Sequence, residues 1–168
     1  MAITLHHDIT MNGKVVRAGE TVSWVMVYPF FLFHMAVFGG SGFFMAYGTD
    51  VELSFLFAHG GIAIVVYLAF YWAIFGPDTV KWLFIDTALG VVGIVAQLGW
   101  ILALFDKTLA DYSILRHIVP FCYYVLYTFL VHRAVRDIWS ADRDDAKRRK
   151  VDWIYVGASL LIYALLAL

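Results

Sequence analysis

Residues 82–105 read Trp-Leu-Phe-Ile-Asp-Thr-Ala-Leu-Gly-Val-Val-Gly-Ile-Val-Ala-Gln-Leu-Gly-Trp-Ile-Leu-Ala-Leu-Phe. A run this long and this apolar is enough to cross a bilayer as one helix. Inside it lie one carboxylate, Asp86, and one side-chain amide, Gln97. At helical spacing Asp86, Gly90, Gly93, Gln97 and Trp100 recur at steps of 4, 3, 4 and 3, so they share a face. The other faces are almost wholly Leu, Ile, Val, Phe and Ala. Such a helix turns its small and polar stripe to other helices and the rest to lipid.

The rest of the chain has the same character. Of its 168 residues, 62% are hydrophobic and only 15% charged, whereas a soluble domain is nearer half apolar. The charges cluster between apolar segments, so the net charge of −1 carries no message of its own. The single cysteine, Cys122, excludes an intramolecular disulfide and dithiol chemistry within one chain. Residues 1–20 are polar and the first apolar run is too long for an h-region, so no cleavable signal peptide is expected. No nucleophile constellation, phosphate loop or His-Glu-x-x-His metal motif is present. Soluble-enzyme chemistry and nucleic-acid binding are therefore not expected.

Taken in order, residues 1–20 place Asn12-Gly13 between two short alternating runs, which predicts a small β-hairpin turning there. An isolated hairpin is marginal in water, so it should rest on the bundle or on a partner. His6 and His7 are adjacent; on a strand they point to opposite faces and make a poor metal pair. Five apolar segments follow, at about 22–47, 51–75, 81–105, 113–139 and 151–168. Pro29 should bend the first or mark a late start. Gly39-Gly40-Ser41-Gly42 suits close helix packing. Gly76-Pro77-Asp78 ends the second segment as a turn. Between the fourth and fifth, Ser140 is a candidate cap for a short helical linker. Its early aspartates and late Lys147 to Lys150 suit the helix dipole.

Orientation follows from the basic residues. The link after the fourth segment holds Arg133, Arg136, Arg143, Lys147, Arg148, Arg149 and Lys150. With Lys14, Arg17 and Lys81, ten of the 12 basic residues fall on one side, leaving Lys107 and Arg116 on the other. The positive-inside rule makes the first side cytoplasmic. The basic run at 147–150 is sufficiently explained as this topology signal. The sequence thus predicts an all-α membrane protein. It is a bundle of five transmembrane helices, N-terminus inside and C-terminus outside, with a cytoplasmic hairpin over 1–20 and a membrane domain over 21–168. Its expected place is the cell inner membrane, multi-pass, in contact with the lipid bilayer, as a homo-oligomer or in a larger membrane complex.

Candidate chemistry lies with the polar residues inside the spans. His34 lies roughly 15 Å from the inner boundary and His59 roughly 12 Å from the outer, at 1.5 Å per residue, so adjacent antiparallel helices could bring the two rings together. Asp86, His34, His59, Gln97 and Glu52 are the candidates for a polar intramembrane path for protons, ions or a small solute. The preferred reading is a channel, transporter or transport-complex subunit without a cofactor. A b-type haem-binding electron carrier, with His34 and His59 as axial ligands, is the first alternative. A non-catalytic assembly subunit is the second. His117 and His132, near opposite ends of the fourth segment, are expected to reach headgroups or loop water. Arg116 should snorkel to the outer surface.

Reporter fusions test the topology. Those placed after Lys81 and Lys150 should read cytoplasmic, and those after Asp50 and Leu168 external. A cytoplasmic reading at Leu168 contradicts the five-span scheme.

Overall fold

The computed structural model describes residues 2–11, 13–141 and 144–167. Four short strands, β1 (Ala2–Thr4), β2 (Ile9–Met11), β3 (Lys14–Val16) and β4 (Thr21–Ser23), precede five long helices. These are α1 (Trp24–Tyr47), α2 (Leu53–Phe75), α3 (Asp78–Ala103), α4 (Ile114–Ile138) and α5 (Asp145–Leu166), with a short 3₁₀ turn at Leu109–Asp111.

The strands form two antiparallel ladders within one long hairpin. β2 pairs with β3 in the register Met11↔Lys14, and β1 pairs with β4, Ala2↔Ser23. Gly13 takes φ +75°, as a two-residue hairpin turn demands; Asn12 lies outside the described residues. The outer ladder was not expected, because three-residue strands leave almost no periodic trace in sequence. Leu5, Ile9 and Val22 are buried and join the apolar core with α1 and α2, so the hairpin rests on the bundle. It also finishes α2. The last carbonyls of a helix lack intrahelical partners, and the backbone N–H groups of His6 and His7 donate to the Ala73 carbonyl at 3.0 and 3.2 Å. Gly76 leaves α2 at φ +76°, and a Cβ there would lie 2.7 Å from the His6 ring. Only glycine fits both demands.

Helix boundaries follow local chemistry. α1 ends at Gly48, and Arg116 from α4 donates to the carbonyls of Ala46, Thr49 and Val51 at 3.3, 3.4 and 2.9 Å. Arg116 therefore closes the α1–α2 link instead of snorkelling. In the next link the Thr108 backbone and hydroxyl donate to Asp111 and hold its carboxyl below the usual carboxylate range. α5 begins earlier than expected, at Asp145. Its cap is Asp144, which accepts from the backbone N–H groups of Ala146 and Lys147 at 2.8 and 3.3 Å. Ser140 does not cap: it sits at φ +50° in the turn after α4. Residues 145–150 are thus the first turns of α5 itself. Asp142 and Arg143, part of the expected linker, lie outside the described residues.

α1, α2, α3 from Lys81 and α4 are each long and apolar enough to cross a membrane. α5 falls outside that group, because its first two turns carry Asp145, Lys147, Arg148, Arg149, Lys150 and Asp152. α4 is the central helix and packs against the other four; Phe129, Leu130 and His132 on it are fully enclosed. The outward faces carry Phe33, Ile62, Phe84 and Ile114, each more than two-thirds exposed, a surface that needs an apolar surrounding. α1 runs through Pro29, which removes one backbone hydrogen bond. The glycine cluster packs closely: a Cβ on Gly42 would lie 3.2 Å from the Tyr123 ring on α4.

Gly60 on α2 is the tightest of these approaches, for a Cβ there would overlap the Val119 side chain of α4. Gly60→Ala should lower stability in detergent by about 1–3 kcal/mol, the usual cost of overpacking, and adding Val119→Ala should restore most of it. Wild-type stability in the single variant would contradict this contact.

Candidate functional site

The polar residues of α4 and α5 fall on two facing ladders. On α4, Tyr124, Thr128, His132 and Arg136 recur every fourth residue; on α5, Asp152, Tyr155, Ser159 and Tyr163 recur at steps of 3, 4 and 4. Both spacings follow one face of a helix. The rungs meet in order. His132 Nε2 lies 2.9 Å from Asp152 Oδ1, and Arg136 Nε lies 3.6 Å from the same oxygen. The Tyr155 hydroxyl donates to the Thr128 carbonyl at 2.8 Å, with Ser159 beside it. The Tyr124 hydroxyl donates to that of Tyr163 at 2.9 Å. From Asp152 to Tyr163 this seam climbs about 16 Å at the helical rise.

α3 closes the seam from the third side. Asp86 is fully buried, and neither of its carboxyl oxygens has a hydrogen-bond partner. Asp152 and the Tyr155 phenol are near enough to act on it electrostatically. Trp82, one turn earlier, packs its ring 4.3 Å from the His132 ring and beneath the Arg136 guanidinium at 5.5 Å. The Tyr155 ring lies 4.7 Å from that of His132, tilted to it by 39°. His132 Nε2–H therefore donates to Asp152, and its Nδ1 is buried without a partner. Farther along α3, Gly90 and Gly93 admit the neighbours: a Cβ at Gly90 would lie 3.0 Å from Val125, and one at Gly93 would lie 2.6 Å from the Tyr163 ring and against the Tyr124 hydroxyl. The space beside these glycines is filled by tyrosines and valine. Gln97, the next member of the stripe, is half-buried, and Trp100 is 52% exposed.

The C-terminal end of α4 holds the remaining helices too. The Tyr28 hydroxyl of α1 donates to Asp137, and the Arg133 guanidinium stands 5.3 Å over the Phe75 ring of α2. His132 thus faces neither headgroups nor loop water. It is enclosed between Trp82 of α3 and Asp152 and Tyr155 of α5. His117, near the N-terminal end of α4, is likewise engaged: Nε2 donates to the Leu109 carbonyl at 3.2 Å and Nδ1 accepts from the Tyr47 hydroxyl at 2.8 Å.

The candidates drawn from sequence separate into three places. Asp86 lies in the seam. His34 and His59 do come together, lining one groove between α1 and α2 that no residue of α3 enters. Glu52 is exposed at the start of α2, accepting from the Ser54 hydroxyl at 3.2 Å. Asp152, Tyr155, Ser159 and Tyr163 were missed, although their spacing was readable. The basic first turns of α5 drew attention to topology and away from the face they lead into. Among the described residues no group of three or more His, Cys, Asp or Glu is placed to hold a metal ion.

Removing the shared carboxylate measures how far the seam holds the bundle together. Asp152→Leu should destabilise by about 3–5 kcal/mol, the range for breaking a buried ion pair, while Lys150→Gln at the surface stays within about 0.5 kcal/mol. Equal unfolding midpoints in detergent would show the ladder to be dispensable. In comparisons with known proteins, no family model, no curated protein and no solved structure matches this chain.

Proposed function

We propose that this chain is a multi-pass inner-membrane protein of the transport class, and that the α3–α4–α5 seam carries protons. The observation that bears this reading is Asp86: a carboxyl with no exposure and no hydrogen bond, beside a second carboxyl at Asp152. An ionised carboxylate is costly in such a place, and a bound proton removes the cost. His132 Nδ1 offers a second open position in the same cluster. The hydroxyls of Tyr155, Ser159, Tyr163 and Tyr124 each donate and accept, so they can hand a proton along. Past the tyrosine pair, Gln97 on α3 and the His117–Tyr47 pair near the outer end extend the polar line.

In this reading the end bearing the hairpin and the basic residues faces the cytoplasm. α5 is the fifth span. Its 22 residues rise about 33 Å in all; with the charged first turns in the inner interface, residues 153–166 rise about 21 Å through a core of roughly 30 Å, a mismatch the bilayer meets by thinning around α5. The seam then opens from the cytoplasmic side, where Arg136 and Asp152 stand. His34 and His59 play no part in it.

Proteoliposomes loaded with a pH-sensitive dye test the proposal. An imposed pH gradient should dissipate faster than in protein-free vesicles. Asp86→Asn should abolish the excess with the fold intact, and Tyr163→Phe should slow it about tenfold or more. Flux equal to that of empty vesicles would remove the reading.

A further inference from the structure

The groove between α1 and α2 has its own chemistry. Its volume is about 390 Å³, within the usual range for a small-molecule site. Phe31 and Tyr67 form a buried floor, Phe30 and Phe38 an exposed rim, and His34 and His59 supply its polar atoms. Each imidazole has one nitrogen already committed. His34 Nδ1 lies 2.8 Å from the Phe30 carbonyl, which can only accept, so Nδ1 carries the hydrogen. Ser41 donates its single hydroxyl hydrogen to the Phe38 carbonyl at 2.8 Å. His59 Nε2, 3.2 Å from Ser41 Oγ, must therefore be the donor in that contact.

Two acceptor nitrogens remain, His34 Nε2 and His59 Nδ1, and among the described residues no donor meets either. In an apolar aromatic groove their natural complement is a flat ring bearing two hydroxyl donors. Acyl chains offer neither the ring nor the donors. Both histidines lie well inside their helices, His34 about 15 Å along α1 from Trp24, so the ligand must be soluble in the bilayer.

We propose that this groove binds a lipid-soluble hydroquinone, its two hydroxyls donating to His34 Nε2 and His59 Nδ1 and its ring lying against Phe31 and Tyr67. The inference is of binding alone, with no electron transferred. It rests on the membrane placement proposed above and is independent of the proton seam.

Titration calorimetry under argon on purified protein in detergent micelles tests it, using a short-chain benzoquinol and its dimethyl ether. Because the assay needs no proton conduction, its failure is distinct from failure of the flux experiment. The quinol should bind once per chain, and the ether, with both donors blocked, at least tenfold more weakly. His34→Phe and His59→Phe should each weaken the quinol at least tenfold with helical content unchanged. Should either variant not fold, the quinol and ether comparison on the wild-type chain decides. Equal affinity for quinol and ether, or no binding of either, overturns the proposal. A Soret band in the purified protein, lost in His34→Ala or His59→Ala, also overturns it by making the two residues iron ligands.

Discussion

Polar groups withdrawn from water must find partners within the protein, and in a bundle the partners must come from other helices. The C-terminal end of α4 concentrates this demand. Four residues there, His132, Arg133, Arg136 and Asp137, reach α5, α2, α3 and α1 respectively, through Asp152, Phe75, Trp82 and Tyr28. Each contact is short in reach and specific in direction. Together they fix which face of each helix turns inward, a selection that apolar packing alone leaves loose when the surroundings are as apolar as the side chains.

The two sides of α4 then diverge. Toward α1 and α2 its neighbours are aromatic rings and glycines, with Tyr71 tied to the Leu126 carbonyl and Gly42 and Gly60 letting the backbones approach. Between α1 and α2 an outward groove remains at His34 and His59. Toward α3 and α5 the packing is polar, and Asp86 is the member whose hydrogen-bonding capacity is unused. A buried polar network is stable when every member is satisfied. On the proposed reading, the unsatisfied carboxyl is what separates a proton-handling seam from a structural one. The opposite end of the bundle is secured separately, by Arg116 on the carbonyls of the α1–α2 link and by His117 between Tyr47 and Leu109.

Much of the helix plan was legible in the residues. Apolar length and the stop at Gly76-Pro77 place α1 and α2 within two residues of their observed bounds. The start of α5 was less legible, because a charged helical turn and a charged link have the same composition. Only the geometry of Asp144 distinguishes them. The site was half legible. A carboxylate in an apolar run marks Asp86, and periodicity shows that it shares a face with Gly90 and Gly93. Periodicity does not say which helix that face meets. Similar depth suggested His34 and His59 as companions of each other, and they share a groove; that Asp86 would join them had no such support, since depth is only one of three coordinates. The rotation of α3 turns Asp86 to α4 and α5, and Arg116 and His132, read singly as interfacial residues, acquire their roles from partners many residues away.

The central claim is that Asp86 holds a proton inside the bundle. Infrared spectroscopy of the protein in lipid, with aspartate isotopically labelled at its side-chain carboxyl, reads this directly. At neutral pH the account predicts a labelled carboxylic-acid C=O band that is present in the wild-type chain and missing in Asp86→Asn. A spectrum showing only ionised carboxylate bands, unchanged by Asp86→Asn in the acid region, would contradict it.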